Sequence, residues 1–284
     1  MNFGTVPYSG LQQNDFILPH NGQVYLPGRA FAEPAIHVGL SLWQHEKWKG
    51  TLYPPGTKGP DTLPFYAGVF DTVEFNASHY HVPAIAQVQK WCEKVIGNDF
   101  SFCPKYPQAI THRGPLSDAS KTALTAGFLQ SAAAFKEKLG PLFLQVGDHY
   151  KQSLKDDLFG YLETQSSEFT IFTELRHSSW FAGEAFMQTA TTLNRLQQGW
   201  VITDTPGRRD VLHLQLTIPK AFIRFVCNGA NELDMFRINE WKKLLAYWVA
   251  NGLQECWFFV HVQDDAEAVD FAKYVQQEFK EILK

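Results

Sequence analysis

The sequence predicts an α/β protein, a single-domain (β/α)8 barrel with an N-terminal arm, on three observations. Strand-like and helix-like segments alternate from residue 35 to the C-terminus, and eight such strands imply a mainly parallel sheet. The length of 284 residues suits one such barrel better than an ordinary domain. No Gly/Ser linker or short repeat divides the chain. The alternative, a doubly wound open sheet, lacks its Gly-rich phosphate turn after the first strand.

Bulk properties narrow the function classes. Hydrophobic content of 45% and aromatic content of 14% supply a large core. A formal net charge of -4 argues against a general polyanion binder. Cys92, Cys103, Cys227 and Cys256 are scattered without metal-type spacing, so they read as buried reduced thiols. No segment resembles a signal peptide or a bilayer span. The expectation is a soluble, cytoplasmic protein with no membrane partner.

In chain order, residues 1–34 are rich in Gly, Pro, Asn and Gln without helical period. Phe16, Ile17, Leu18, Val24, Tyr25 and Leu26 are too apolar for a free tail. The arm is therefore expected to pack on the domain at 35–284, with a short hairpin at Asn21-Gly22. Strand 35–40 leads into a long loop, 42–64, whose Trp43, Trp48 and Tyr53 are expected to border the barrel mouth. A short helix at 61–70 precedes strand 72–76, where Thr72, Glu74 and Asn76 share one face. Further strands are read at 100–105, 142–145, 169–175, 200–204, 222–226 and 256–261. Helices are read at 83–96, 117–139 with Ser117 as N-cap, 152–164, 183–198, 238–251 and 266–283. Segment 205–215 gives no clear signal.

Function in such a barrel sits at the C-terminal strand ends. Those ends carry Ser41, Glu74, Asn76, Lys105, Gln145, Glu174, Arg176, Asp204, Arg224 and His261. Glu74, Glu174, Lys105 and Asp204 are the candidate catalytic residues. The two glutamates could serve as acid and base if their surroundings separate their pKa values, and Lys105 as a salt-bridge partner or, if desolvated, a Schiff-base amine. Asn76, Arg176, Arg224, His261, Trp43, Trp48, Tyr80, His112 and Trp180 are candidate substrate contacts. Arg176 and Arg224 suit an anion, and Arg224→Ala is expected to weaken anion binding while leaving the fold intact. His79 and His261 are candidate proton carriers. The competing interpretation of the whole ring is a structural ion-pair network. No metal motif is present and Lys and Arg interleave with the acids, so no metal and no cofactor are expected.

At these residues the chain resembles domain-of-unknown-function family 72, the YecE-like proteins. The resemblance rests on an ordered set: Gly39 to Trp43, Trp48 with Tyr53-Pro54, Val73-Glu74-Phe75-Asn76 with Tyr80, and Lys105 with Thr111-His112. Glu174-Leu175-Arg176-His177-Ser178-Ser179-Trp180, Asp204 and Ile223-Arg224-Phe225 complete it. Leu42, Gln145-Val146-Gly147 and His261 depart from the family pattern. The resemblance implies a TIM barrel and supplies no activity. Three functions stay open: an enzyme (hydrolase, lyase or isomerase) working by acid–base chemistry on a small polar or anionic sugar or phosphate compound; a nucleic-acid-binding or processing protein that stacks bases on Trp43, Trp48, Tyr53 and Trp180; and a non-catalytic ligand-binding barrel. Oligomeric state is left open.

Overall fold

The structure, a computed structural model, describes residue 6 and residues 12–19, 24–165 and 167–284. Its strands are β1 (Ala35–Leu40), β2 (Thr72–Phe75), β3 (Ser101–Pro104), β4 (Leu142–Gln145) and β5 (Ile171–Glu174). They continue as β6 (Gly199–Trp200), β7 (Ile202–Asp204), β8 (Lys220–Val226) and β9 (Glu255–His261). Six of them pair in parallel in the order β3-β2-β1-β9-β8-β7, and β4-β5-β6 form a second parallel sheet. Two lone parallel bridges, Phe102 to Leu139 and Lys105 to Phe143, connect β3 with the β4 segment. On the other side Val201 alone separates β6 from β7, and its N–H donates to the Thr173 carbonyl at 3.0 Å. That break divides the predicted strand 200–204 in two. The α/β class and the parallel pairing are as the alternation implied.

Helices α1 (Leu63–Ala67), α2 (Ala77–Tyr80), α3 (Ile85–Lys94), α4 (Gln108–Thr111) and α5 (Ser120–Ala133) lie between the early strands. Helices α6 (Lys155–Glu163), α7 (Gly183–Arg195), α8 (Glu232–Ala250) and α9 (Asp265–Lys280) follow the later ones. Among the described residues no helix is long and apolar enough to cross a membrane. Two boundaries correct the expectations. α8 begins six residues before the predicted start, because the Asn231 side chain accepts from the N–H groups of Leu233 and Asp234. Ser117 caps nothing: its N–H and hydroxyl both donate to Asp157, and α5 starts later.

Two layers of packing follow from strand alternation. Cys103, Phe143, Phe172, Phe222, Trp257 and Phe259 gather in one buried cluster. Phe222 is at its centre, 5.2 Å from the Phe143 ring and 4.9 Å from that of Phe259. Their sequence neighbours, such as Phe225 and Phe258, pack instead beneath the helices against Trp241, Phe271 and Phe279. In the N-terminal segment Phe16 is buried, with the guanidinium groups of Arg209 and Arg237 5.4 and 5.8 Å from its ring. Val24 bridges to Leu216. The predicted turn at Asn21-Gly22 lies outside the described residues.

Candidate functional site

The period of two that gathers Cys103, Phe143, Phe172, Phe222 and Phe259 also places the residue two positions further on the same face. Those residues are Lys105, Gln145, Glu174, Arg224 and His261. An apolar plug is thus topped by a polar layer at the C-terminal strand ends.

Arg224 is the hub of this layer. Its Nε and Nη2 donate to Glu74 at 2.9 and 3.2 Å, and its Nη1 donates to both oxygens of Glu174 at 3.1 Å. All three side chains are buried. Glu74 also accepts from Asn76 Nδ2 at 2.8 Å and from His261 Nε2 at 3.1 Å. Glu174 accepts from Thr203 Oγ1 at 2.8 Å, from Gln145 Nε2, and from Arg176 Nε at 3.4 Å. Burial alone would raise both carboxyls, but the Arg224 guanidinium outweighs it. With help from His261, Glu74 is held well below the usual range, and with help from Arg176 and Gln145, Glu174 falls to about 2. Both are ionised at neutral pH.

Above the layer lies a cavity of about 440 Å3, whose wall includes Ser41, Trp48, Asn76, His79, Tyr80, Lys105, Arg224 and His261. Lys105 is only 4% exposed. Its Nζ donates to Gln145 Oε1 at 2.9 Å, lies 5.1 Å from the Phe143 ring centre, and makes no ion pair among the described residues. Burial, followed by repulsion from Arg224, lowers its pKa to about 8. His79 is buried and lowered to about 4, again by burial, so it is neutral. Its Nδ1 faces the Tyr106 carbonyl at 2.8 Å. A carbonyl only accepts, so Nδ1 carries the proton and Nε2 keeps its lone pair. The His112 ring packs edge-on against His79 at 5.1 Å and is lowered by burial as well.

The structure brings many of the predicted residues together and separates others. Glu74, Asn76, Lys105, Glu174, Arg176, Arg224 and His261 belong to one hydrogen-bonded layer with Gln145. Asp204 does not join it. Thr203 is the β7 residue that reaches Glu174, so Asp204 points outward, where Arg237 Nη2, Arg209 and Trp241 Nε1 occupy its carboxylate. Trp180 is a buried core residue that donates to the Tyr150 carbonyl at 2.7 Å. Trp43 stacks on Phe75 at 5.4 Å, away from this cavity. Trp48 does line it, whereas Tyr53 braces the loop through hydrogen bonds to the backbone of His45. Tyr80 is 70% exposed at the rim. The expectation that Arg224→Ala leaves the fold intact is also corrected: removing one member of a buried pair costs about 3–5 kcal/mol, so Arg224 supports the fold. Thr203, Gln263 and Asp265 were missed. Parity with Val201 would have found Thr203, but Gln263 and Asp265 of the cavity wall lie beyond β9, in the link to α9 and at that helix's first residue, where the strand's period no longer applies.

The family described as "Protein of unknown function DUF72" matches residues 37–283. The UPF0759 protein YecE of Escherichia coli (strain K12) is 26% identical over 271 residues, covering 87% of this chain and 94% of that protein. The UPF0759 protein YunF of Bacillus subtilis (strain 168) is 26% identical over 181 residues, 60% of this chain and 61% of its own. Among solved structures, a DUF72 family protein of Enterococcus faecalis superposes with a TM-score of 0.67 at 19% identity, covering 89% of this chain and 99% of that one. A DUF72 family protein of Thermotoga maritima gives 0.62 at 21%, covering 87% and 99%.

Proposed function

The chain belongs to the DUF72 family, and from that premise we propose that it is an acid–base enzyme acting on a small anionic sugar or phosphate compound held in the cavity at the strand ends. We read the two sheets as one closed (β/α)8 TIM barrel, residues 35–284, with residues 1–34 as an arm docked on it. The lone bridges between β3 and β4 and the single residue between β6 and β7 support closure. The burial of Phe16 supports the arm.

One observation carries the functional reading: a buried lysine on the cavity wall, without a carboxylate partner among the described residues, held at about 8. An amine near that value exchanges its proton at physiological pH. Neutral His79 lines the same cavity and can accept through Nε2. Glu74 and Glu174, both ionised, act as counter-charges that lock Arg224 rather than as proton donors. Arg224 is held by Glu74 and Glu174, and Arg176 by Glu174 and, at 3.6 Å, by Asp148. The cation of this layer that meets no carboxylate among the described residues is therefore Lys105, and a ligand's negative charge is placed beside it. With Trp180 and Tyr53 buried and Trp43 half-buried against Phe75, a continuous stacking surface for nucleic acid has less support.

The test is a thermal-shift series with inorganic phosphate, small carboxylates and sugar phosphates on the wild type and Lys105→Met. Ligand at a hundredfold excess over its Kd stabilises a fold by about 2.7 kcal/mol, so at least one anion is expected to raise the wild-type Tm by several degrees. The shift should vanish in the variant. Equal shifts in both proteins, or none with any anion, would remove the cavity from consideration.

A further inference from the structure

We propose that Lys105 Nζ is a nucleophile that condenses with the carbonyl carbon of a small anionic aldehyde or ketone in the cavity, forming a Schiff base. The inference rests on the reading above that the cavity takes a small anion, and it adds the substrate class.

The placement of Lys105 differs from that of the chain's other buried or paired lysines. Lys47, Lys49, Lys94, Lys155, Lys220, Lys242 and Lys243 each contact a carboxylate. Lys121 is buried like Lys105, but its Nζ donates to the carbonyls of Ile110 and Arg113 at 2.5 Å, fastening the end of α4. Lys105 instead meets a carboxamide on the cavity wall. The orientation of that carboxamide is fixed: Gln145 Nε2 donates to Glu174, which can only accept, so Oε1 is turned toward Lys105. Gln145 therefore stands between the lysine and Glu174. An amide oxygen accepts from a neutral amine as well as from an ammonium, so it holds Nζ in place without requiring the charge. The Phe143 ring, 5.1 Å from Nζ, presents carbon rather than a carboxylate on that side. Together these hold an amine that can exist unprotonated, which is the form that attacks a carbonyl.

The reaction balances with the groups present. The Nζ lone pair forms the C–N bond as the carbonyl π bond breaks, and the oxygen takes a proton from solvent in the cavity. Nitrogen gives one proton to His79 Nε2, and the imidazolium returns it to the departing hydroxyl. Amine, carbonyl compound and one proton become iminium and water, with no oxidant or reductant consumed. The anionic group of the substrate lies against the cavity wall on the side of Arg224.

Trapping tests this directly. Wild-type protein is incubated with glyoxylate, pyruvate or dihydroxyacetone phosphate at pH 7, reduced with borohydride, and mapped by peptide mass spectrometry. One probe is expected to give a reduced adduct on Lys105 at least tenfold above the exposed Lys243. In Gln145→Glu, where a carboxylate would fix the ammonium, that adduct should fall at least tenfold. Adducts spread over surface lysines with no excess at Lys105 would overturn the proposal. If phosphate or carboxylate still raises the wild-type Tm in that case, only the nucleophile is lost and the anion site stands. Loss of both results would overturn the two readings together.

Discussion

Lys105 and Lys121 are both buried, and they differ in how completely their protons are received. Lys121 hands two of them to backbone carbonyls, while Lys105 has one amide oxygen and an aromatic ring. Burial moves Lys105 from an ordinary 10.5 to about 8. The unfolded chain therefore holds the proton more tightly than the folded one. Between about pH 8 and 10.5 a rise in pH stabilises the fold, and below 8 the full penalty is present. Replacing Lys105 with Met keeps the length and removes the ionisable group. At pH 7 the variant is expected to be more stable by roughly 1–3 kcal/mol, with the gain shrinking toward pH 10.5. Urea unfolding at pH 7 and pH 10 checks this. A variant equally destabilised at both would mean that the bond to Gln145 outweighs the buried charge. A position that weakens its own fold is where function is expected to concentrate. At this scale the sequence was informative wherever alternation ruled: Glu74, Asn76, Lys105, Glu174, Arg224 and His261 all follow parity. Asp204 misled because an acid at a strand end resembles its neighbours. Of its actual partners, Arg209 is near in sequence, but Arg237 and Trp241 sit 33 and 37 residues away, a separation that no local pattern registers.

The elements that hold the site depend on close backbone approach as much as on side chains. β1 reaches β2 through Gly39, where a Cβ would stand 2.9 Å from Thr72 Cγ2 and closer still to the Thr72 carbonyl. That carbonyl accepts from the Tyr66 hydroxyl at 3.0 Å, and the same hydroxyl accepts from the Leu40 N–H at 2.8 Å. Tyr66 thus ties α1 to both strands just below Glu74. Gly39→Ala is expected to destabilise by about 1–3 kcal/mol and to weaken ligand binding beyond that loss, since β2 carries Glu74 and Asn76. Denaturant unfolding together with the anion thermal shift reads both effects. A variant as stable as wild type would show that the strands part without strain. Element types were legible because apolar period and strand composition are local signals. The start of α8 was not, although Asn231-Glu232-Leu233-Asp234 carries a cap and acidic first turn. The apolar positions that pack most fully in α8 begin near Ile238, and they masked it. The break at Val201 was hidden too, because Trp200 to Asp204 reads as one strand and only its pairing with two different neighbours divides it.

Across the whole molecule, buried ion pairs join parts of the chain that are distant in sequence, and they set how the fold responds to acid. Arg224 links β8 to β2 through Glu74 and to β5 through Glu174. Arg237 links α8 to β7 through Asp204 and also binds Asp234. Burial raises Asp204, but Arg237 and Arg209 outweigh it and hold it below its ordinary range, as Arg224 does for Glu74 and Glu174. A carboxyl lowered in the folded state contributes stability that is present above its unfolded pKa and lost as pH falls through the folded value. For these three the window opens at 4.5 and 3.8 and, for Glu174, extends to about 2. Asp234 runs the other way. Burial raises it despite Arg237, so it takes up a proton more readily when folded and partly offsets the loss. His79, His112 and His213 are held neutral by burial, His79 and His213 down to about 4 and 3, and among the described histidines only His37 is raised. Stability should therefore begin to fall near pH 6.5 and fall more steeply below 4.5, with each net proton taken up contributing about 1.4 kcal/mol per pH unit. In Glu174→Gln the acid limb should flatten by close to one proton, while stability at pH 7 drops because Arg224 keeps only Glu74. Urea midpoints measured from pH 2 to 7 on both proteins decide it. A wild type that stays level down to pH 3, or a variant with an unchanged limb, would mean that the Glu74–Arg224–Glu174 layer does not tie the sheets together as its geometry implies.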